Sequence, residues 1–304
     1  LRVIPPIEIT DEKLTSPVPE PDPAAGEVTW SGATAYNVGD EVILTSTHLR
    51  YECLVAHSNR NPATDMATPP AWLVKGPTNR MAMFDLLRNT QTEFASPLTV
   101  TVTPGRRANS IAMLGLVADT AAITVKSGGA VVYSHTETLL SRQSLGWYDF
   151  FYGEFTARPS MVLWNLPPFT DAEITITLTR AAGPVKCGAC VFGTYEYIGE
   201  VQYDAESDTL NFSKIDRKFD GTAELKPRRN VPKTNQTLLA EKSRTNKIRA
   251  LRDRLNATPA VWSGLDDDQD GYFEALFILG IYKRFSINLA HATNTVISLE
   301  LEEI

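Results

Sequence analysis

Cysteine, histidine and long apolar runs are all scarce in this chain of 304 residues. The cysteines are Cys53, Cys187 and Cys190. An odd number in so long a chain is no disulfide framework, so a reducing site of synthesis is expected. The histidines, His48, His57, His135 and His291, are scattered and show no ligand spacing. No apolar run approaches the roughly 20 residues that a membrane helix needs, so no membrane span is expected. The opening "LRVIPPIEIT" lacks the basic, apolar and small-residue regions of a secretory signal, and no such leader is expected. There is no G-x-S-x-G elbow, no H-E-x-x-H and no P-loop. The sequence therefore assigns no catalytic residue, metal or cofactor, and it reads as a non-enzyme.

What is present is apolar and β-prone. Hydrophobic residues make up 43% of the chain, enough for substantial cores in two or three domains. Four segments are expected. Residues 1–29 read as an extended arm, because Pro5, Pro6, Pro17, Pro19, Pro21 and Pro23 fix φ and remove amide donors. Val3, Ile4, Ile7 and Ile9 give that arm something to bury, and a neighbouring subunit is the expected surface, with Ile4 and Ile7 as interface residues. Residues 30–76 read as a small β domain, with "EVILTS" and "LRYECLVA" as strands and "NVGD" as a turn. So small a domain has to draw much of its core from aromatics, so Tyr51 and Trp72 are expected to be mostly buried.

Residues 77–203 read as a β-sandwich. Ile174, Ile176 and Leu178 alternate with Glu173, Thr175, Thr177 and Thr179, and "KSGGAV" is a hairpin turn. Residues 204–304 read as an α+β domain. A hairpin turning at "DG" comes first, then a helix from about Asn235 to Leu255 striped by Ile248, Leu251 and Leu255, then strands that include "FEALFILGIYKRF", "SINLA" and "TVISLELEEI". The whole is mainly β.

Three constellations bear on chemistry. "DDDQDG" (Asp266–Gly271) matches the first half of an EF-hand loop, but Phe277 stands where the bidentate Glu is needed, which leaves a solvated acidic loop. "CGAC" has no second pair, so Cys187 and Cys190 read as small strand residues. Residues 214–254 carry thirteen Lys/Arg against five Asp/Glu, a net +8 in a chain of net −7. No aromatic interleaves the basic residues of the expected helix, so nucleic acid is not the expected partner. Docking of the basic face on an acidic face of a neighbouring copy explains both halves, with Arg244, Lys247, Arg249 and Arg252 at the subunit boundary.

Two resemblances add to this. Tyr36, Gly39-Asp40, Val42, Tyr51, Pro62 and Trp72, led by Trp30, resemble the family 5/12 carbohydrate-binding modules of chitinases. That likeness implies a chitin-binding-module-like β domain, with Trp30, Tyr36, Tyr51 and Trp72 as sugar-facing rings. The order "VIPPIEIT", the module, "GPTNRMAMFD", a sandwich ending "YEYIGEVQYDA", "KIDRKFDG", "NATPAVWSG", "ILGIYKRFSI" and "VISLELEEI" resembles a family of tailed-bacteriophage virion proteins of the tail and baseplate. The sandwich resembles galactose-binding-like jelly rolls. These likenesses imply a structural subunit of a virion tail, made in the host cytoplasm. It would form an oligomeric ring of its own copies and attach neighbouring tail or fibre proteins. The alternative they imply is a receptor-binding protein that recognises host surface glycan.

Overall fold

A computed structural model describes residues 1–141, 146–153, 155–289 and 291–304. The fold is mainly β, with one longer helix near the C-terminal end. Its contacts divide the chain into a central unit, Glu8–Cys190, and a terminal unit made of Leu1–Ile7 with Val191–Ile304. This corrects the four-part division. The small β domain and the sandwich segment share one unit, the second boundary falls at residue 190 rather than 203, and the arm is split after Ile7.

In the central unit a five-stranded antiparallel sheet runs in the order Ala130–Thr138, Thr120–Ser127, Glu173–Thr179, Leu98–Val102, Leu14–Thr15. The period-two pattern sets its buried face. Ile174, Ile176 and Leu178 lie opposite Val102, Val100 and Leu98 on one side and Val125, Ile123 and Ala121 on the other, all buried. The reverse face is threonine, and the Thr101–Thr175 hydroxyls pair across strands at 2.9 Å. Gly128 and Gly129, at φ +57° and +79°, make the tight turn that "KSGGAV" promises. The module's strands, Glu41–Leu44, Leu49–Cys53 and Trp72–Pro77, form a three-stranded sheet, and Tyr51 stands opposite Val42.

The terminal unit is built on one long sheet. Its order is Glu196–Tyr197, Arg2–Ile4, Ala260–Ser263, Phe277–Asn288, Asn294–Glu303, Asn230–Glu241, Glu200–Val201, and Glu206–Asn211 also pairs with Asn230–Glu241. The start of the arm is thus an interior strand. Val3 lies opposite both Glu196 and Trp262. Ile4 is 0% and Ile7 is 7% exposed within their own chain, which corrects their reading as interface residues. The prolines that exclude a helix do not exclude a three-residue strand placed before them. The remainder of the arm, from Glu8, belongs to the central unit, where Leu14 pairs with Val102.

The expected helix over 235–255 is corrected as well. Asn230–Glu241 is a strand, Lys242–Arg244 one 3₁₀ turn, and the helix is Thr245–Arg254. Thr234, Gln236, Leu238 and Ala240 are buried at period two, and Leu238 pairs with Ile297. The helix-favouring composition of "QTLLAEK" yields to that sheet pairing. Ile248, Leu251 and Leu255 are buried in a core with Val3, Ile198, Trp262 and Ile297, so the narrow stripe is fully used inside the unit. "FEALFILGIYKRF" and "SINLA" fuse into one 3₁₀ turn, Phe273–Leu276, and one strand, Phe277–Asn288. Ala290, at the end of the second piece, lies outside the described residues.

Candidate functional site

The four rings proposed to face sugar come together, but as a core. Tyr36, Tyr51 and Trp72 are 6%, 4% and 7% exposed and pack with Val42, Leu44, Cys53 and Ala71, with Trp30 half-buried against them. The Tyr36–Trp72 edge contact has centroids 5.2 Å apart. The Tyr36 hydroxyl accepts from the Ser31 amide at 2.7 Å, and the Trp72 indole N–H donates to the Arg60 carbonyl at 2.8 Å. Rings buried in this way cannot stack on a sugar, so Tyr36, Tyr51 and Trp72 are corrected to structural residues, while Trp30 stays half-buried against them.

The loop that closes over them is pinned by Asp65. Its carboxylate accepts from the Ala71 amide at 2.8 Å and from both ends of the Arg60 guanidinium at 2.7 to 3.1 Å. The Ala71 amide first, and then Arg60, hold the Asp65 carboxyl below its ordinary range. A carboxyl depressed in the folded state stabilises above its unfolded pKa of about 4 and loses that contribution as pH falls through the folded value. Asp65→Asn is therefore expected to lower the melting temperature at pH 7, and the gap to the native chain is expected to close as the melts are repeated towards pH 2.

The basic helix residues are also largely committed. Arg244 donates to the Tyr197 carbonyl at 2.9 Å and lies 5.0 Å over the Tyr197 ring. Lys247 pairs with Glu196 at 2.6 Å, and Arg252 with Asp253 at 3.0 Å. Arg249 is exposed, with Asp253 at 3.9 Å. Arg244 is thus a holding residue of its own fold, while Lys247 and Arg249 keep largely exposed side chains, 63% and 69%. Cys187 and Cys190 are free and buried. Burial pushes the first thiol up to about 12 and the second well above its usual value. The acidic loop is tied down locally: Asp266 pairs with Arg2 at 2.9 Å, and Asp267 accepts from the Gln269 amide. Among the described residues no cluster of His, Cys, Asp and Glu is placed to hold a metal ion.

The central unit carries an open cleft of about 1270 Å³, lined by Pro19, Arg50, Asn79, Gln91, Phe94 and Arg180 among others. Several of its polar side chains are engaged within the fold. Asn79 bonds Asp22 and the Glu93 backbone, Arg50 pairs with Glu41, and Arg180 donates to the Pro184 carbonyl. The cleft offers little that would orient a ligand.

The features that stand free are elsewhere. Glu206–Asn211 and the start of Asn230–Glu241 form a hairpin stem. Beyond it, Lys214–Arg217 and Ala223–Lys226 pair with each other and with no other strand among the described residues. Asp220-Gly221 sits in the turn, with Gly221 at φ +86°. Register divides the two faces. Lys214/Lys226 and Asp216/Glu224 share one face and are tied by ion pairs, Lys214–Asp216 at 2.9 Å and Lys226–Glu224 at 3.3 Å. The other face is Ile215/Leu225 and Arg217/Ala223, with Ile215 60% and Leu225 67% exposed. Phe212 and Phe219 are also exposed. The hairpin was legible in "KIDRKFDG"; its unshared apolar face was not.

A second free surface lies on the helix Trp147–Tyr152 of the central unit, "WYDFFY". Trp147, Tyr148, Phe151 and Tyr152 are all strongly exposed, and the Trp147 and Phe151 rings stack at 6.3 Å. Sequence reasoning passed over this stretch. Its density of aromatics was the available signal, but one turn and a half of helix is too short to show a period.

No protein-family model matches the chain, no curated protein is similar to it, and no solved structure resembles it.

Proposed function

We propose that this protein is a structural subunit of a bacteriophage tail or baseplate, assembling with its own copies in a ring and holding neighbouring tail or fibre proteins. The observation that carries the assembly part is the amphipathic hairpin 214–226. An isolated two-stranded hairpin is marginal in water, and an apolar face such as Ile215/Leu225 gains nothing from solvent. Such an arm makes sense when a partner covers it. The tail setting rests on the sequence likeness alone. The alternative, a receptor-binding protein for host polysaccharide, loses Tyr36, Tyr51 and Trp72 to the module core and keeps half-buried Trp30 and the open cleft.

Mass spectrometry of purified virions, with gold-labelled antibody seen by negative stain, tests the setting; label on the tail is expected. Absence of the chain from particles sinks the reading. The arm's share is tested by Ile215→Glu with Leu225→Glu. These exposed changes are expected to move the melting temperature by no more than a degree or two, since exposed substitutions alter stability by about 0.5 kcal/mol or less. The same chain is expected to enter particles at least tenfold less well. Normal incorporation would remove the arm from the assembly.

A further inference from the structure

We infer that residues 16–27 form a strap that lifts from the central unit as one piece while the sheets around it stay folded, with Asn79 and Arg80 as its latch. The large cleft of that unit thereby has one movable wall. This goes beyond the tail reading and holds with or without it.

The strap is pinned at its ends and lightly held between them. Before it, Leu14–Thr15 pairs with the strand Leu98–Val102, and after it Thr29 bridges to Ile43. Between these points no backbone–backbone hydrogen bond joins residues 16–27 to another part of the chain among the described residues. The amides of Ala25, Gly26 and Glu27 bond back to Asp22 and Pro23, inside the strap itself. Pro17, Pro19, Pro21 and Pro23 lack amide donors and stiffen the backbone, so the segment offers little to a ladder and moves as a unit. Gly26 closes it at φ +75°, where an added Cβ would meet nothing within 4 Å. The left-handed backbone, not crowding, calls for glycine there, and it makes a hinge.

The hydrogen bonds that hold it come from three residues. Arg80 donates to the Ser16 and Val18 carbonyls at 3.2 and 3.1 Å. The Asn79 side chain donates to Asp22 at 2.6 Å, and the Asn79 backbone amide donates to Glu27 at 2.7 Å. The His48 ring meets Glu20 at 2.7 Å. Asp22 and Glu27 are 5% and 6% exposed, yet both carboxylates take their hydrogen bonds from amides, and no Lys or Arg pairs with either among the described residues. A buried carboxylate without a cation costs free energy, and lifting the strap returns both to water. Against that stand these few hydrogen bonds and the burial of Val18, which is 0% exposed. Such a balance keeps the strap closed with a populated open state, as in segments that open locally while sheet cores do not. Pro19, Asp22, Pro23, Ala24 and Ala25 line the cleft, so opening widens it with no change in the sheets.

Thiol labelling and amide exchange on the full chain test the strap. Val18→Cys places a thiol beneath it, and Leu14→Cys places one at a comparably buried position, 6% exposed, on the strand that stays paired. The native thiols are buried, so a small maleimide reads the added ones. The Val18→Cys thiol is expected to react about a hundredfold faster than the Leu14→Cys thiol, at a rate that low guanidinium does not change, because local opening exposes little surface. The native chain supplies a second measure, free of any substitution in the strap. The Asn79 amide bonds Glu27 only while the strap is down. It is expected to exchange about tenfold or more faster than the Ile176 amide, which lies in a strand paired on both edges. Arg80→Ala is expected to speed Asn79 by about a further tenfold and to leave Ile176 unchanged. A Val18→Cys thiol no faster than the Leu14→Cys thiol overturns the strap. So does exchange of Asn79 at the Ile176 rate in the native chain, or an Arg80→Ala chain in which both amides speed up alike.

Discussion

Val3→Asp is expected to unfold the terminal unit while the central unit stays folded. Val3 is 0% exposed and packs in the core that holds Ile198, Leu238 and Trp262. Its strand is hydrogen-bonded on both edges, to Glu196–Tyr197 and to Ala260–Ser263. A carboxylate there would be buried without a partner, which costs several kcal/mol, against a total domain stability of about 5–15 kcal/mol. Val3→Ala, which removes only two methyl groups, is expected to cost about 2 kcal/mol. Hydrogen exchange separates the units. With aspartate, protection is expected to be lost across 191–304 and kept in the sheet strands of 8–190. Retained protection in Ala260–Ser263 would mean that residues 1–7 are dispensable to the unit, and that they are free for a neighbour after all.

The contrast with the sequence reading lies in what prolines hide. Strand Arg2–Ile4 is three residues long and is followed at once by Pro5 and Pro6. Its partners lie roughly 190 and 260 residues away in sequence. Nothing local distinguishes such a strand from a tail that binds another subunit, since both require apolar residues on extended backbone. The period-two strand Glu173–Thr179 was readable because its own alternation encodes the face. At Asn230–Glu241 alternation was present but ran into the helix Thr245–Arg254, and the helix-favouring Leu, Ala, Glu and Lys of the junction drew the boundary ten residues too early.

The candidate site was legible only in part, for a related reason. Composition reveals that 214–254 is basic, yet it cannot divide the cations into those already neutralised at home and those left open. Arg244 is spent on Tyr197, and Lys247 reaches Glu196 from a largely exposed side chain; both partners are strand residues far away in sequence. In the hairpin, by contrast, Lys214 and Lys226 pair with Asp216 and Glu224 within a single face, and the register sets Ile215 and Leu225 together on the other. The exposed apolar pair follows from register, and a two-residue Asp-Gly turn would have set Ile215 opposite Lys226; the observed loop is one residue longer, with the Lys218 amide bonded to the Thr222 carbonyl and Arg217 opposite Ala223.

Trp72→Ala is expected to collapse the small β domain by losing about 3–5 kcal/mol, the cost of deleting a buried large aromatic. That domain has few core residues, and the indole touches most of what they do. It packs against Tyr36 and against the His57 ring at 4.9 Å, and its N–H ties down Arg60, which in turn grips Asp65. Removing the ring leaves a cavity and an orphaned carbonyl, and frees the loop that Asp65 pins. Trp72→Phe keeps most of the volume and loses the hydrogen bond, so it is expected to cost about 1–2 kcal/mol beyond the small change in packing. The two variants give a graded loss of protease resistance across residues 30–77, with the remaining sheets of the central unit less affected. A sugar-stacking ring behaves differently, because an exposed aromatic can be removed with little change in folding while binding disappears. Native resistance of the alanine variant to protease, together with loss of binding on a glycan array, would restore the module to carbohydrate recognition. A graded loss of folding, with no glycan bound by the native chain, leaves Trp72 with a structural role alone.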